Sequence, residues 1–164
     1  MRKRIIPAKP EPGSIPEGDW LDLEHLAEVE ITSEDPRHPI EHALLPGSGS
    51  GWRAGQPGEQ TIRLAFQDPQ RINRIWLHFE EPQVERTQQF VLRWSPDNGQ
   101  TFGEIVRQQW NFSPEGSQEQ TESIDLALSG VTMLELIIIP DISGGDARAS
   151  LTQLRLEGRT KPSD

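Results

Sequence analysis

The sequence predicts an all-β fold, an antiparallel β-sandwich, on three observations. From Val29 onward apolar and polar residues alternate at period two. The alternating runs are short, about eight in all, as in sandwiches and barrels. Turn-forming clusters separate them, with no helical pattern between.

The runs follow in order. Val29 and Ile31 alternate with Glu30 and Thr32. Ile62, Leu64 and Phe66 form a second set and Ile75, Leu77 and Phe79 a third, with Trp76 and His78 on the opposite face. Phe90, Leu92 and Trp94 follow, then the shorter Ile105–Val106 run. Ile124, Leu126 and Leu128, then Leu134, Leu136 and Ile138, precede a closing strand with Leu154 and Leu156. Turns are expected at Asp68-Pro69, Glu81-Pro82, Pro96-Asp97-Asn98-Gly99, Ser113-Pro114-Glu115-Gly116, Ser129-Gly130 and Ser143-Gly144-Gly145-Asp146. Residues 33–58 carry four prolines and no strand pattern, so they read as a long functional or mobile loop.

Before the strands, residues 1–18 contain Pro7, Pro10, Pro12 and Pro16 and read as an extended N-terminal arm. Asp19–Ala27 is expected to form one or two helical turns, capped by Asp19, with Trp20, Leu23 and Leu26 on one face. The sandwich domain then spans 19–158, and 159–164 form a C-terminal tail.

Composition narrows function. The 164 residues suffice for one domain with its own core. There is no cysteine, which removes disulfides, thiolate metal sites and cysteine nucleophiles. The net charge is −10. The first eighteen residues balance at +2, which leaves −12 on the remainder. An acidic body repels phosphate backbones, so no nucleic-acid partner is expected. The longest apolar run, Leu136–Ile139, is too short to cross a bilayer, and no apolar leader follows Met1-Arg2-Lys3-Arg4. The expectation is a soluble, cytoplasmic protein with no membrane partner.

The order of several segments resembles a known family. A short turn ends in Ala43-Leu44, and Trp52 follows a Gly/Ser stretch. A strand pair, Gln60–Phe66 and Ile72–Phe79, is joined by Asp68-Pro69-Gln70. Phe90-Val91-Leu92-Arg93-Trp94-Ser95-Pro96-Asp97-Asn98-Gly99-Gln100-Thr101-Phe102 then reads as a strand and hairpin, and Ala149–Leu156 as a closing strand. This order resembles the discoidin or coagulation factor 5/8 type C domains and the family 32 carbohydrate-binding modules. The resemblance covers roughly residues 27–158 and implies a galactose-binding domain-like jelly roll. It also implies a ligand site in the loops at one end. Members often hold a calcium through an aspartate shortly after the Ala-Leu turn and a glutamate on the closing strand. Here Leu45-Pro46-Gly47 and Gln153 occupy those places, so no calcium or other cofactor is expected. Sugar-binding members tend to present an aromatic from a late loop, and residues 141–149 contain none.

Two short motifs are set aside. Ser95–Phe102 fits the Asp-box of sialidases, but one copy is a stabilised hairpin, and the chain has no tyrosine for a sialidase nucleophile. His38-Pro39-Ile40-Glu41-His42 fits H-x-x-E-H, yet Pro39 and Pro46 confine any helix to about two turns. Zinc hydrolysis is therefore a distant third reading.

The candidate ligand-binding residues are His38, His42, Trp52, Arg53, Arg86, Trp110 and Arg148, with no catalytic or metal residues. Arginines in loops offer paired N–H groups to hydroxyls and carboxylates. Trp110 is the candidate for an exposed stacking ring, Trp52 matches a position that packs at the base of the loops, and Trp94 is in phase with the core. The leading expectation is a non-catalytic module that binds a saccharide or a similar polar small ligand. The alternative is an intracellular protein–protein interaction domain on the same fold, using an apolar patch around Trp76 or an open strand edge.

Overall fold

The computed structural model describes residues 1–4, 15–47 and 49–160. Most of the expected arm (5–14) and tail (161–164) lies outside the described residues. The elements run α1 (Leu23–Leu26), β1 (Ala27–Ile31), α2 (Glu41–Leu44), β2 (Trp52–Arg53), β3 (Gln60–Glu80), β4 (Arg86–Ser95), β5 (Gly103–Phe112), β6 (Glu119–Ile139), β7 (Ser150–Leu151) and β8 (Gln153–Thr160). All the strand ladders are antiparallel.

β3 and β6 are each 21 residues long, and each serves two layers. In the first layer the order is β1-β3-β6-β4-β5, built on Ile31↔Ile62, Gln60↔Ile138 and Phe90↔Ile138. In the second, residues 72–80 of β3 lie between β8 and residues 119–128 of β6. The segments expected as turns at Asp68-Pro69 and Ser129-Gly130 are instead corners within continuous strands. Register shifts between Ala65 and Arg74 mark the bend. Pro69 cannot donate to a ladder and Gly130 takes φ +70°, so both suit a corner where pairing lapses.

The period-two faces meet between the layers. Ile62, Leu64, Phe66, Phe90, Leu92, Leu134, Leu136 and Ile138 from the first layer face Ile75, Leu77, Phe79, Leu154 and Leu156 from the second, all buried in one cluster. The rings of Phe79 and Phe90 bridge the layers at 5.4 Å between centroids. Full burial of a side chain of this kind stabilises the fold by about 1.5–3 kcal/mol.

α1 is shorter than expected. It starts at Leu23 with Asp22, not Asp19, at the N-cap position. Trp20 pairs with Glu157 instead, and the Leu21 N–H donates to the Leu156 carbonyl at 2.7 Å, so this segment extends β8 sideways. The β4–β5 hairpin turns through Asn98 (φ 59°) and Gly99 (φ 91°), the two left-handed positions that an Asn-Gly turn supplies. Asp97 organises it, accepting from the Ser95 hydroxyl at 2.7 Å and from the Thr101 N–H and hydroxyl at 2.8 and 2.6 Å. These bonds, Ser95 first, hold its carboxyl down at about 2.

Candidate functional site

The loops gathered at one end of the sandwich are held by backbone bonds. Residues 33–58 are not a free loop. β2 pairs with β7 through Trp52↔Leu151 and Arg53↔Ser150. Ala54 N–H donates to the Ala149 carbonyl at 2.9 Å, and Gly58 N–H to that of Ala147 at 3.2 Å. On the other side of β2, Arg53 N–H donates to the His38 carbonyl at 3.1 Å and its carbonyl accepts from Asp35 N–H at 2.8 Å. β2 therefore lies between the 147–151 stretch and the tight turn 35–38, an arrangement that brings together His38, Arg53 and Arg148. Gly51 permits this approach: at φ +105°, a Cβ there would stand 2.8 Å from the Leu151 carbonyl oxygen.

His38 and Arg53 are half-buried and Arg148 is exposed. Asp35 stands among them. The Arg37 N–H at 3.0 Å, then the charges of Arg37, His38 and Arg148, hold its carboxyl below the usual range. The guanidinium groups of Arg53 and Arg148 make no ion pair or hydrogen bond with the described residues.

The other four candidates take different places. Trp52 is buried to 1% and donates its indole N–H to the Ser33 carbonyl at 3.1 Å. It braces the loops from beneath and shows no ring face to solvent. Arg86 is in β4, not in a loop, and its side chain is 1% exposed. It pairs with Glu81 at 3.2 Å, donates to the Pro140 carbonyl at 2.7 Å and lies over the Phe112 ring. Glu81 in turn accepts from the N–H groups of Gln83 and Val84. Burial pulls the Arg86 pKa down and Glu81 opposes the shift. Breaking such a pair leaves an uncompensated charge, at about 3–5 kcal/mol, so Arg86 ties residues 81–85 to the late loop as a foundation. Its neighbour Asp141 and the Glu81 partner carried no motif by which sequence could find them.

His42 lies in α2, its ring 2.5 Å from the place a Cβ on Gly49 would take, and its Nδ1 is buried without a partner. His38 precedes the four-residue helix and bridges to Asp35. The two histidines therefore do not share a helix face. Among the described residues neither belongs to a group of three metal-capable side chains. Trp110 projects from the edge strand β5 opposite Gln88 and packs against the core. Trp76 sits on the outer face as its phase predicts, but it is 3% exposed and offers no open patch.

On β8, Arg155 is buried and donates to the carbonyls of Ala43 and Leu154, both at 2.8 Å. Burial pulls its pKa down. A separate cleft of about 520 Å³ opens beside β1, lined by Leu23, Val29, Ile31, Ile40 and Leu44 among others, and contains none of the candidate residues.

No protein-family model matches the sequence, and no curated protein matches it. Solved structures do. The chain is similar to the family 32 carbohydrate-binding module of Clostridium perfringens NanJ, solved with galactose, at 12% identity and a TM-score of 0.61, over 84% of this chain and 97% of that one. A second Clostridium perfringens family 32 module, solved with GalNAc-β-1,3-galactose, is 18% identical with a TM-score of 0.58, over 84% and 99%. The family 32 module of AlyQ, solved with 4,5-unsaturated mannuronic acid, is 15% identical with a TM-score of 0.58, over 80% and 94%. No helix is long and apolar enough to cross a membrane. What the chain shares with these proteins is their fold, the jelly-roll β-sandwich of carbohydrate-binding modules and discoidin-like, factor 5/8 type C domains.

Proposed function

We propose that this domain binds a saccharide without chemistry, through His38, Arg53 and Arg148, and that the sugar it takes bears a carboxylate. One observation carries the reading. Arg53 and Arg148, whose guanidinium groups make no direct ion pair or hydrogen bond among the described residues, the latter feeling the nearby charge of Asp35, stand on neighbouring hydrogen-bonded stretches at the loop end of an otherwise acidic body. A guanidinium forms paired, charge-assisted bonds to a carboxylate and weaker ones to hydroxyls. Ile142, 48% exposed on the late loop, offers apolar contact in place of an aromatic ring. The AlyQ module's uronic acid and the galactose of the NanJ module are ligands of neighbours on this fold, which supports the saccharide class.

The domain needs no calcium on this reading. Calcium prefers several hard, charged oxygens. Gln153 is uncharged, and the Arg155 guanidinium already donates a hydrogen bond to the Ala43 carbonyl.

The test is calorimetric titration of the full chain with oligogalacturonate and with neutral galacto-oligosaccharide. Saturable binding of the acidic ligand is expected, weakened about tenfold by Arg53→Ala or Arg148→Ala, the equivalent of one charge-assisted bond. Equal binding of both ligands would remove the carboxylate from the proposal. Silence toward all saccharides would favour the second reading, protein docking. That reading rests on β1, which is paired only to β3 and borders the apolar cleft.

A further inference from the structure

We propose that His78, Glu80 and Glu119 form a site for a divalent first-row transition cation of the zinc type, on the outer face of the second layer. The site is independent of the saccharide loops.

Strand geometry creates the constellation. His78 and Glu80 are two apart on β3 and share one face. Glu119 is the direct cross-strand partner of Glu80 on β6. The His78 Nε2 lies 3.0 Å from Glu80 Oε1 and 3.9 Å from Glu119 Oε1, and the three ligand atoms fall within 4.8 Å of one another. Four ligands about 2.0–2.1 Å from a tetrahedral zinc stand about 3.3 Å apart. The observed separations bracket that spacing, so small rotations of two exposed carboxylates would close it.

The imidazole is already fixed. His78 is fully buried, Nδ1 is 2.8 Å from the Thr121 hydroxyl, and the ring stacks on Trp76 at 5.9 Å. A ligating histidine needs such an outer partner to aim its second nitrogen. Glu80 and Glu119 are 48% and 41% exposed, which leaves an entry path and an open coordination position. Charge points the same way. Like charges directly opposite on neighbouring strands are destabilising. Among the described residues no lysine or arginine pairs with either glutamate. One imidazole nitrogen with two carboxylates suits zinc-type ions over calcium or magnesium, which favour all-oxygen sites.

The experiment is calorimetric titration of chelator-treated full-length protein with ZnCl2. One equivalent is expected to bind. Glu80→Gln or Glu119→Gln should each weaken binding about 10-fold or more, and the two together should remove it. Thr121→Val should weaken binding about 10-fold through loss of the outer partner. Excess Ca²⁺ should not compete. His78 is too buried to replace safely, so the wild-type protein supplies the second readout. Its histidine ¹⁵N spectrum should show Nε2 of His78 shifting with zinc, while His25, His38 and His42 stay in place. Absence of binding at millimolar zinc overturns the proposal. So does binding unchanged in the Glu80→Gln/Glu119→Gln double variant, or a shift confined to His25, which sits in the separate exposed Asp22, Glu24 and His25 group.

Discussion

The two outer faces of the sandwich solve the same problem with opposite charge balance. On the first layer Glu135, buried to 2%, sits between Arg63 and Arg93, its direct cross-strand partners on β3 and β4. Arg63 Nε and Nη2 donate to one carboxylate oxygen at 3.0 and 2.8 Å. Arg93 engages the other, with Nε at 2.9 Å, and rests on the Phe102 ring. One buried anion is answered by two cations across three strands. On the second layer two carboxylates face one imidazole, and among the described residues no lysine or arginine pairs with them. A sheet face can thus balance its charges within the chain or present an excess of one sign.

That contrast can be broken at its strong side first. Glu135→Ala removes the anion from between two arginines and is expected to cost about 2–3 kcal/mol in chemical denaturation. The loss stays below the range for a fully enclosed pair because each arginine is 35% exposed and rehydrates. A loss under half a kcal/mol would show that the ladder is ornamental. The weaker side can then be converted to the stronger pattern. Glu119→Lys places a cation opposite Glu80 and is expected to stabilise the metal-free protein by about 0.2–1 kcal/mol while abolishing zinc binding. Destabilisation would mean that the two glutamates are not in conflict.

The smallest effect concerns a carboxylate already saturated with donors. Asp97 has its pKa depressed to about 2, so its contribution is complete above the ordinary aspartate range and lost as pH falls through about 2. Acid titration by ¹³C NMR should show Asp97 still ionised at pH 3. Asp97→Asn should flatten that limb of the stability profile.

Much of the core was legible because alternation records it directly. Ile62, Leu64, Phe66, Ile75, Leu77 and Phe79 all point inward where period two put them. The division of β3 and β6 into separate strands failed because Asp-Pro and Ser-Gly signal a break in pairing equally for a turn and for a bulged corner. β2 was invisible, since two residues cannot display a period, and β7 was merged with β8 into the single closing strand expected over Ala149–Leu156. The candidate arginines were chosen by residue type, which carries no information about depth. Arg86 resembled a loop residue because Glu81 and the Pro140 carbonyl, which make its burial tolerable, lie at separate points of the chain. His78 and Glu119 carry no local spacing signal, because strand register alone brings them together.

The bent strands have a consequence for how the domain comes apart. Since β3 and β6 each run through both layers, neither layer can detach while the other keeps its full pairing. Amide exchange in Ile62–Phe66 and in Ile75–Phe79 should therefore follow one opening event, with the edges β1 and β5 fraying ahead of it. The loops that carry Arg53 and Arg148 hang from the same two strands. Their arrangement persists as long as the whole domain does, and a ligand bound there as proposed would draw on the cooperativity of the entire sandwich.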